Sequence, residues 1–500
     1  MAEFDYIVVG AGSAGCVIAS RLSEQPEVRV LLIEAGSAER SRAMIVPNEW
    51  PDLMGSASDW AYLTTDQADA GATLYPRGKT LGGSSSINAM AHVRGHRAVY
   101  DGWAAAGATG WGFADLLPYF KRTEQADGRD PALRGTSGPI KVGPATDRHP
   151  VAEAFVAGLQ AAGFPVTDDL SGADQEGAAF IDLAIADGER VSAADGYLRP
   201  VLHRANLVLE PDCLVTRLQV DAGRCTGVSY RRDGAAVTAR ASREVILCAG
   251  AIGSPQLLLL SGIGPADQLR ALGIEVVADL AAVGANLQDH PMVEASFASP
   301  YPLPRSKYNN GEAYAALRSS LAGKHPDLHL YPILLPLAPA GFTPPETGFV
   351  LVASVVAPDS RGSVRLASAD PQASPLIDPA FLTDGRDLVR MEESLRIVRE
   401  VASGSAFAEL REREVWPGPE ATSSADLRAF IKRAVISYWH PAGSCAMGSD
   451  PASVVDTELR VRGLAGLRVA DASVLPTVPN GPPNATVLAV AERAAELIAG

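Results

Sequence analysis

Short apolar runs rich in β-branched residues alternate along this chain with glycine turns and longer amphipathic stretches. Residues 4–9 and 28–33 are typical of buried parallel strands, and residues 16–22 between them are typical of a helix. Residues 244–248 and 467–470 are later runs of the first kind. This order of strand, turn, helix and strand predicts an α/β region built on a largely parallel sheet.

A different pattern occupies the second half of the chain. Residues 349–356 and 362–366 are rich in β-forming side chains. They are followed by a stretch that places Met391, Leu395 and Val398 on one helical face. We therefore expect a separate α+β region in which helices back an antiparallel sheet.

The first turn carries a glycine motif. Gly10, Gly12 and Gly15 follow the first strand, and Glu34 ends the second strand, 34 − 15 = 19 residues past Gly15. Such glycines permit a tight turn and close approach to a pyrophosphate, the helix N-terminus attracts phosphate, and the acidic residue accepts from ribose hydroxyls. The motif predicts a Rossmann-like dinucleotide site but does not separate NAD from FAD. An ordinary glycine turn is the alternative interpretation.

The composition of the chain bears on whether it binds nucleic acid, a membrane or a metal. The chain has 43 Lys and Arg against 58 Asp and Glu, a net charge of −15, which argues against nucleic acid or an anionic membrane. We expect no membrane span, since no run approaches the ~20 apolar residues required, and no signal peptide. The five cysteines lack metal-ligand spacing, so we expect no metal site, free thiols and a cytoplasmic location.

Three further segments carry a family resemblance. They are residues 77–88, residues 250–264, and residues 439–448 followed by 471–473 and 483–486. In this order they resemble the glucose–methanol–choline (GMC) family of FAD-dependent oxidoreductases, over nearly the whole chain.

The resemblance implies a Rossmann-like FAD-binding domain of the glutathione-reductase type and an α+β substrate domain built on an antiparallel sheet. Because the dinucleotide motifs lie at both ends and in the middle, we expect a discontinuous FAD domain. Its predicted segments are 1–145, 191–291 and 431–500, and those of the substrate domain are 146–190 and 292–430.

The resemblance also implies a set of cofactor-binding residues. Asn88 and Ala89 are expected nearest the flavin ring, the Val215 backbone at adenine and Asp471 at the phosphate–ribityl region. The full set is Gly10, Gly12, Ser13, Ala14, Gly15, Glu34, Ala35, Gly83, Ser84, Asn88, Ala89, Val215, Ala249, Asp471, Ala472, Asn484 and Thr486.

Some members of the family link the flavin covalently through a histidine, and Ile87 occupies the matching position here. We therefore expect noncovalent FAD. His92 is the less favoured alternative, a displaced covalent anchor.

Oxidising an alcohol requires a base near its hydroxyl, and histidine suits this role because its ordinary pKa is about 6.5. Of the eight histidines, the resemblance makes His440 the catalytic base, with Asn484 as its partner and with Tyr438 and Trp439 in the substrate pocket. Taken locally, His440 could be a buried structural histidine and Asn484 a helix N-cap. We expect structural roles for His290 and for His329.

Two loops are candidates for the pocket wall. Residues 302–311 could form a lid, and residues 336–345, with Phe342, could line the substrate pocket. A plain surface connection is the alternative for both.

The predicted function is oxidation of a small primary alcohol to the aldehyde by hydride transfer to flavin N5, with oxygen or another electron acceptor. Residues 471–484, with Trp439, are similar to those of family members that oxidise furanic and aromatic alcohols. Choline-like and polyol substrates also stay open, although the sequence identifies no carboxylate for the ammonium group of choline. The same fold hosts hydroxynitrile lyases with non-redox FAD, which form the alternative function. A non-catalytic flavin protein and a nicotinamide enzyme are weaker alternatives.

Overall fold

Two seven-stranded sheets organise the protein, whose computed structural model describes residues 3–339 and 341–500. The first sheet has the order Leu207–Glu210, Val30–Ile33, Glu3–Val9, Ala235–Leu247, Arg224–Arg232 and Leu214–Asp221, with Leu467–Val469 added beside Ala235–Leu247. The second sheet has the order Arg413–Trp416, Pro291–Ala298, Gly348–Val355, Leu328–Ile333, Ala313–Leu317 and Gly177–Phe180, with Ile436–Ser437 beside Pro291–Ala298.

One long strand connects the two halves of the first sheet. The C-terminal part of Ala235–Leu247 pairs in parallel with Glu3–Val9 and with Leu467–Val469. Its N-terminal part pairs antiparallel with Arg224–Arg232. Strands Val30–Ile33 and Leu467–Val469 are buried along their length because helices cover the sheet, as the continuous apolar runs predict.

The second sheet is antiparallel throughout, and its two faces differ. On Pro291–Ala298, Val293, Ala295 and Phe297 belong to an apolar cluster shared with the helices behind the sheet. Met292 belongs instead to a cluster on the opposite face that includes several tyrosines. Strand periodicity therefore gives this sheet one purely apolar face and one face with polar groups.

The helices and small sheets complete the fold. The helices are Ser13–Leu22, Arg42–Ile45, Arg97–Ala105, Phe113–Thr123, Pro150–Ala161, Gly250–Leu260, Ala266–Ala271, Gly385–Ser403, Ser424–Ala434 and Asn484–Ala499. The short strands are Tyr62–Leu63, Leu74–Tyr75, Glu124–Ala126, Ile140–Pro144, Asp182–Leu183, Ile185–Ala186, Glu189–Arg190, Ile263–Gly264, Ala278–Asp279, Ser363–Arg365 and Leu376–Asp378. Among the described residues, no helix combines the length and the apolarity that crossing a membrane requires.

The predicted fold class is confirmed: a Rossmann-like sheet accompanies an antiparallel sheet backed by helices. The domain boundaries stay a proposal. Strand Ile436–Ser437 pairs with the second sheet although it follows the proposed boundary at 430/431. Residues 1, 2 and 340, which fall within the ranges 1–145 and 336–345 of the sequence predictions, lie outside the described residues.

Close backbone packing explains the glycines of the first turn. Gly10 has φ +96°, a left-handed conformation that side chains disfavour. A Cβ on Gly15 would lie 1.8 Å from the carbonyl oxygen of Gly10. The N-terminal helix, Ser13–Leu22, can therefore rest on the end of strand Glu3–Val9 only because residue 15 has no side chain.

We predict that Gly15→Ala destabilises the protein by at least about 1–3 kcal/mol, because the methyl group must push the helix away from the strand. Gly102 is the matched control. It lies inside the helix Arg97–Ala105, and nothing approaches its Cβ position within 4 Å. Gly102→Ala should therefore stabilise by about 0.5–1 kcal/mol through helix propensity. Urea unfolding of both variants measures the two changes, and equal effects would contradict the close-packing account.

Candidate active site

A cavity of about 790 Å³ opens where parallel strands of the first sheet end and the polar face of the second sheet begins. Its volume is within the ~300–1,000 Å³ typical of ligand sites, and carboxyl ends of parallel strands are the usual position for them. The predicted residues that line it are Gly10, Gly12, Ser13, Ala14, Glu34, Ala35, Gly83, Ser84, Asn88, Ala89, Val215, Ala249, Tyr438, Trp439, His440, Asp471, Ala472 and Asn484.

Two predicted cofactor residues do not line the cavity. Gly15 lies behind it, against the carbonyl of Gly10. Thr486 is fully buried in the C-terminal helix, and its hydroxyl lies 2.8 Å from the Tyr100 hydroxyl. The structure therefore gives both residues packing positions rather than cavity positions.

Backbone and a buried carboxylate form one end of the cavity. The Glu34 carboxylate accepts hydrogen bonds from the backbone N–H of Ala11 at 2.8 Å and of Gly36 at 2.9 Å. Burial nevertheless raises the pKa of Glu34 to about 7. Each oxygen retains a second lone pair for a ribose hydroxyl.

The glycine backbone beside Glu34 leaves room for a phosphate group. A Cβ on Gly83 would lie 2.7 Å from the Cα of Gly12, so two loops present bare backbone at the cavity. This cradle fits a dinucleotide.

Two helix N-termini meet at the cavity. Ser13 is the first residue of its helix, and its hydroxyl donates to the Asn484 Oδ1 at 2.7 Å. The N-cap interpretation of Asn484 is wrong: the helix begins at Asn484 itself, Pro483 occupies the cap position, and the amide oxygen accepts from Ser13 instead. The Asn484 NH₂ group remains for the cavity, where both helix dipoles favour negative charge.

The Asp471 carboxylate accepts hydrogen bonds from three groups of the protein itself. It accepts from the backbone N–H of Gly250 at 2.9 Å, from the Ser254 hydroxyl at 2.5 Å and from the backbone N–H of Ser473 at 2.8 Å. Burial raises its pKa. Asp471 therefore fixes the turn before the helix Gly250–Leu260 as well as lining the cavity.

Arg190 is a buried residue that sequence reasoning missed. Its guanidinium donates to the carbonyl and the side-chain oxygen of Asn88, at 2.6 and 2.9 Å, and to the carbonyl of Met44 at 3.0 Å. Burial lowers its pKa to about 9. Arginine is normally exposed, so no local signal distinguished this one as a support for the loop around Asn88.

His440 is held by a second histidine. Nδ1 of His440 lies 3.0 Å from Nδ1 of His290, and the two rings are perpendicular. His440 therefore has Nε2 free for the cavity that it lines. Burial, together with the charges of His290 and Arg77, lowers the pKa of His440 well below its ordinary value, so its imidazole is neutral at pH 7.

A buried carboxylate fixes the backbone before His440. Trp439 has φ +65°, a left-handed conformation that is strained for a bulky residue. Asp289 accepts hydrogen bonds from the backbone N–H of His440, at 2.8 Å, and from the Ser437 hydroxyl, which in turn accepts from the N–H of Trp439. Arg77 donates to the Trp439 carbonyl at 2.6 Å. Sequence reasoning missed Asp289 and Arg77 as supports because both are distant from Trp439 in the chain.

Glu294 is a second carboxylate that the sequence did not identify. It is buried on the polar face of the second sheet and lines the cavity. Within the part of the chain that the structure describes, it has no hydrogen-bond or ion-pair partner, and burial raises its pKa to about 7. The strand pattern placed residue 294 among apolar neighbours and gave no sign that it faces a cavity.

Tyrosines surround this part of the cavity. Tyr331 stacks on Tyr438 with ring centroids 4.8 Å apart, and Tyr314 lies 5.3 Å from Tyr331. Tyr438 in turn lies 4.3 Å from the ring of His440. The tyrosines therefore form a continuous aromatic wall between the strand that carries Glu294 and His440.

The two loops considered from sequence behave differently. Asn309 and Asn310, of the 302–311 segment, line the cavity, and their side chains donate to the carbonyls of Ala89 at 2.6 Å and Asn48 at 3.0 Å. This segment is thus tied across the cavity.

The expectation for Phe342 is wrong. Leu337 and Ala338 line the cavity, but Phe342 packs on Trp416 and Phe430, on the opposite side of the second sheet. His92, the alternative flavin anchor, is likewise not a lining residue, and its Nε2 lies 3.1 Å from Glu124.

Comparison with known proteins identifies relatives over the full chain. Family models described as GMC oxidoreductase match residues 4–292 and residues 358–491. The mitochondrial choline dehydrogenase of Homo sapiens is 38% identical, covering 100% of this chain and 90% of its own. The oxygen-dependent choline dehydrogenase of Rhizobium johnstonii is also 38% identical, covering 100% and 96%.

Solved structures agree with these relatives. Pyridoxine 4-oxidase from Mesorbium loti superposes with a TM-score of 0.95 at 36% identity, covering 99% of this chain and 98% of that one. A formate oxidase from Aspergillus oryzae superposes with a TM-score of 0.92 at 29% identity, also covering 99% and 98%.

We predict that Asp289→Asn destabilises the protein by about 2–4 kcal/mol, because the amide NH₂ cannot accept the buried hydrogen bonds that the carboxylate accepts. Asp267 is exposed and pairs only with Arg270 three residues on, so Asp267→Asn should change stability by less than about 0.5 kcal/mol. Thermal unfolding measures both. A loss at Asp289 no larger than that at Asp267 would show that the carboxylate does not hold this loop.

Proposed function

The chain belongs to the GMC oxidoreductase family and is an FAD-dependent oxidoreductase acting on alcohols, and on this premise we propose that it oxidises a small primary alcohol carrying a cationic group to the aldehyde. The observation that carries the cationic preference is Glu294, a carboxylate that lies in the cavity beside an aromatic wall and has no side-chain partner among the residues that the structure describes.

We propose that FAD is held noncovalently, by the cofactor residues named from sequence. The bare glycine backbone, the available lone pairs of Glu34 and the two helix N-termini all suit a dinucleotide. Ile87 lines the cavity at the position where a covalent link would form, and it offers no nucleophile. His92 interacts with Glu124 instead.

When bound, FAD supplies a hydride acceptor at flavin N5. His440 is the base in this proposal: its Nε2 faces the cavity and its lowered pKa keeps it neutral and able to accept the hydroxyl proton. The free NH₂ of Asn484 donates to the alcohol oxygen as negative charge develops there. Tyr438 and Trp439, which both line the cavity, exclude water from this position.

A cation fits the remaining part of the cavity. A carboxylate and aromatic faces are the groups that bind ammonium ions, through charge and through cation–π attraction. Two of the relatives described above are choline dehydrogenases, which agrees with a choline-type substrate. Aromatic, furanic and polyol alcohols are less favoured because none of them needs the charge of Glu294.

We also propose a reducing, cytoplasmic location. All five cysteines are buried and none forms a disulfide in the described residues, as expected where thiols stay reduced.

We predict that choline bleaches the flavin absorbance near ~450 nm of the holoenzyme under anaerobic conditions. His440→Ala should slow this bleaching by at least about 10²-fold, the usual contribution of a general base, and leave the bound flavin spectrum unchanged. Rapid return of colour in air identifies oxygen as the acceptor, and slow return identifies another acceptor. If no alcohol bleaches the flavin while a cyanohydrin is cleaved, the hydroxynitrile lyase alternative replaces this proposal.

We predict that Glu294→Gln lowers kcat/KM for choline about 10- to 100-fold, or ~1.4–2.7 kcal/mol. For the neutral isostere 3,3-dimethyl-1-butanol, the same substitution should lower kcat/KM by less than threefold. Burial raises the pKa of Glu294 to about 7, so it gains charge as pH rises from 6 to 8, and the KM for choline should fall over this range in the native protein but not in Glu294→Gln. Glu275, which is exposed, supplies the control Glu275→Gln. Equal losses for the two substrates would contradict a cation site.

A further inference from the structure

Two buried ring nitrogens near His440 have no hydrogen-bond partner among the described residues. They are Nε2 of His290 and Nδ1 of His329. Burial and the nearby His329 lower the pKa of His290 well below its ordinary value, and the Pro479 carbonyl opposes this lowering without completing a hydrogen bond to Nε2. A buried imidazole nitrogen without a hydrogen bond lowers the stability of the fold, so each such nitrogen calls for an explanation, such as a bound water or a functional role.

His329 lies at one end of a line of residues that crosses the second sheet, and His290 lies two residues before the other end of that line. His329 is opposite Ser354 in the second sheet, and Ser354 is opposite Met292, so the three occupy one row across three strands. Since neighbouring strands are about 4.8 Å apart, the row spans ~10 Å. His290 precedes this row by two residues, and the Ser354 hydroxyl donates to the Pro291 carbonyl at 2.9 Å.

The far end of this line reaches a second, small cavity. His329 lines it together with Asn480 and His96, and its volume of about 10 Å³ is near the smallest that holds one water. His96 is half-exposed at the protein surface, and the ring of His325 lies 6.3 Å from it. The small cavity therefore adjoins both the buried His329 and a histidine in contact with solvent.

From this arrangement we propose that the proton taken from the alcohol by His440 leaves the active site through His290 and His329 to the small cavity beside His96. The proposal rests on the oxidation proposed above. Imidazole is suited to the role because each ring accepts a proton at one nitrogen and releases one from the other.

Each proton in this route has a named donor and acceptor. The alcohol carbon loses a hydride to the cofactor, and its oxygen loses a proton to Nε2 of His440. His440 then gives the proton on Nδ1 to His290 across the 3.0 Å contact, and His290 releases its Nε2 proton toward His329.

Reoxidation by oxygen or another two-electron acceptor consumes one proton. That proton returns along the same residues in the opposite order and restores the starting tautomers. No net proton is produced over a full cycle.

The first test follows proton release and flavin bleaching together in anaerobic stopped flow, with choline and a pH-indicator dye. In the native holoenzyme, release should follow bleaching without a lag. In His329→Leu, first-turnover bleaching should stay within twofold while proton release slows at least tenfold. Simultaneous release and bleaching in His329→Leu, or retention of the proton by the native protein, would overturn the proposal.

Two further variants separate a proton route from a structural role. His96→Asn keeps a side-chain N-cap for the helix Arg97–Ala105 but cannot carry a proton, so it should slow release without affecting folding. His329→Ala leaves space for free imidazole, and added imidazole should restore fast release. His203 is exposed and remote from these groups, and His203→Gln should behave as the native protein. Failure of imidazole to restore release, with His96→Asn normal, would contradict the route.

A measurement without turnover distinguishes failure of this proposal from failure of the proposed oxidation. In ¹⁵N-histidine-labelled holoenzyme, the ring N–H shared by His290 and His440 should exchange with water at least tenfold more slowly in His329→Leu than in the native protein. An unchanged exchange rate would overturn the route even if choline is oxidised. A slowed rate would support the route even if choline is not the substrate.

Discussion

The close approach of bare backbone at the glycine turns is the constraint on which the cavity depends. Gly15 allows the N-terminal helix to rest on the first strand, and Gly83 allows a second loop to touch Gly12. Because no side chains fill these contacts, backbone N–H groups and helix N-termini line the cavity directly. The C-terminal helix completes the cradle, and Asn484 joins it to Ser13 at 2.7 Å.

The second sheet contributes polar groups to the cavities because its two faces carry different kinds of side chain. Its apolar face packs on the helices behind it, so burial of that face holds the sheet in place. The opposite face can then expose polar groups to an enclosed space. Glu294, Tyr331 and His329 are all on this second face, one set toward the main cavity and one toward the small cavity. Because successive side chains of a strand point to opposite faces of the sheet, the same face carries both the proposed substrate site and part of the proposed proton route.

Buried polar groups hold His440 in position at some cost in stability. Asp289 fixes the backbone of Trp439 in a left-handed conformation, and His290 fixes the ring of His440. Burial of such groups is unfavourable unless their hydrogen bonds are made, which makes the local arrangement highly specific. The strain at Trp439 is tolerated because three hydrogen-bonding partners determine the geometry around it.

The sequence alone determined the fold class and the first glycine turn, because periodicity and glycine spacing are local properties of the chain. The resemblance to the GMC family, carried by residues 77–88, 250–264 and 439–448, indicated the other cofactor loops and His440 as a candidate base. The sequence could not determine which side chains from distant segments share one space. Glu294 looked like part of an apolar strand, and Asp289 and Arg190 looked like ordinary charges. Only the tertiary structure decided where these side chains lie, because pairing across the sheets sets which face of each strand meets the cavity, and burial then changes the chemistry of the groups found there.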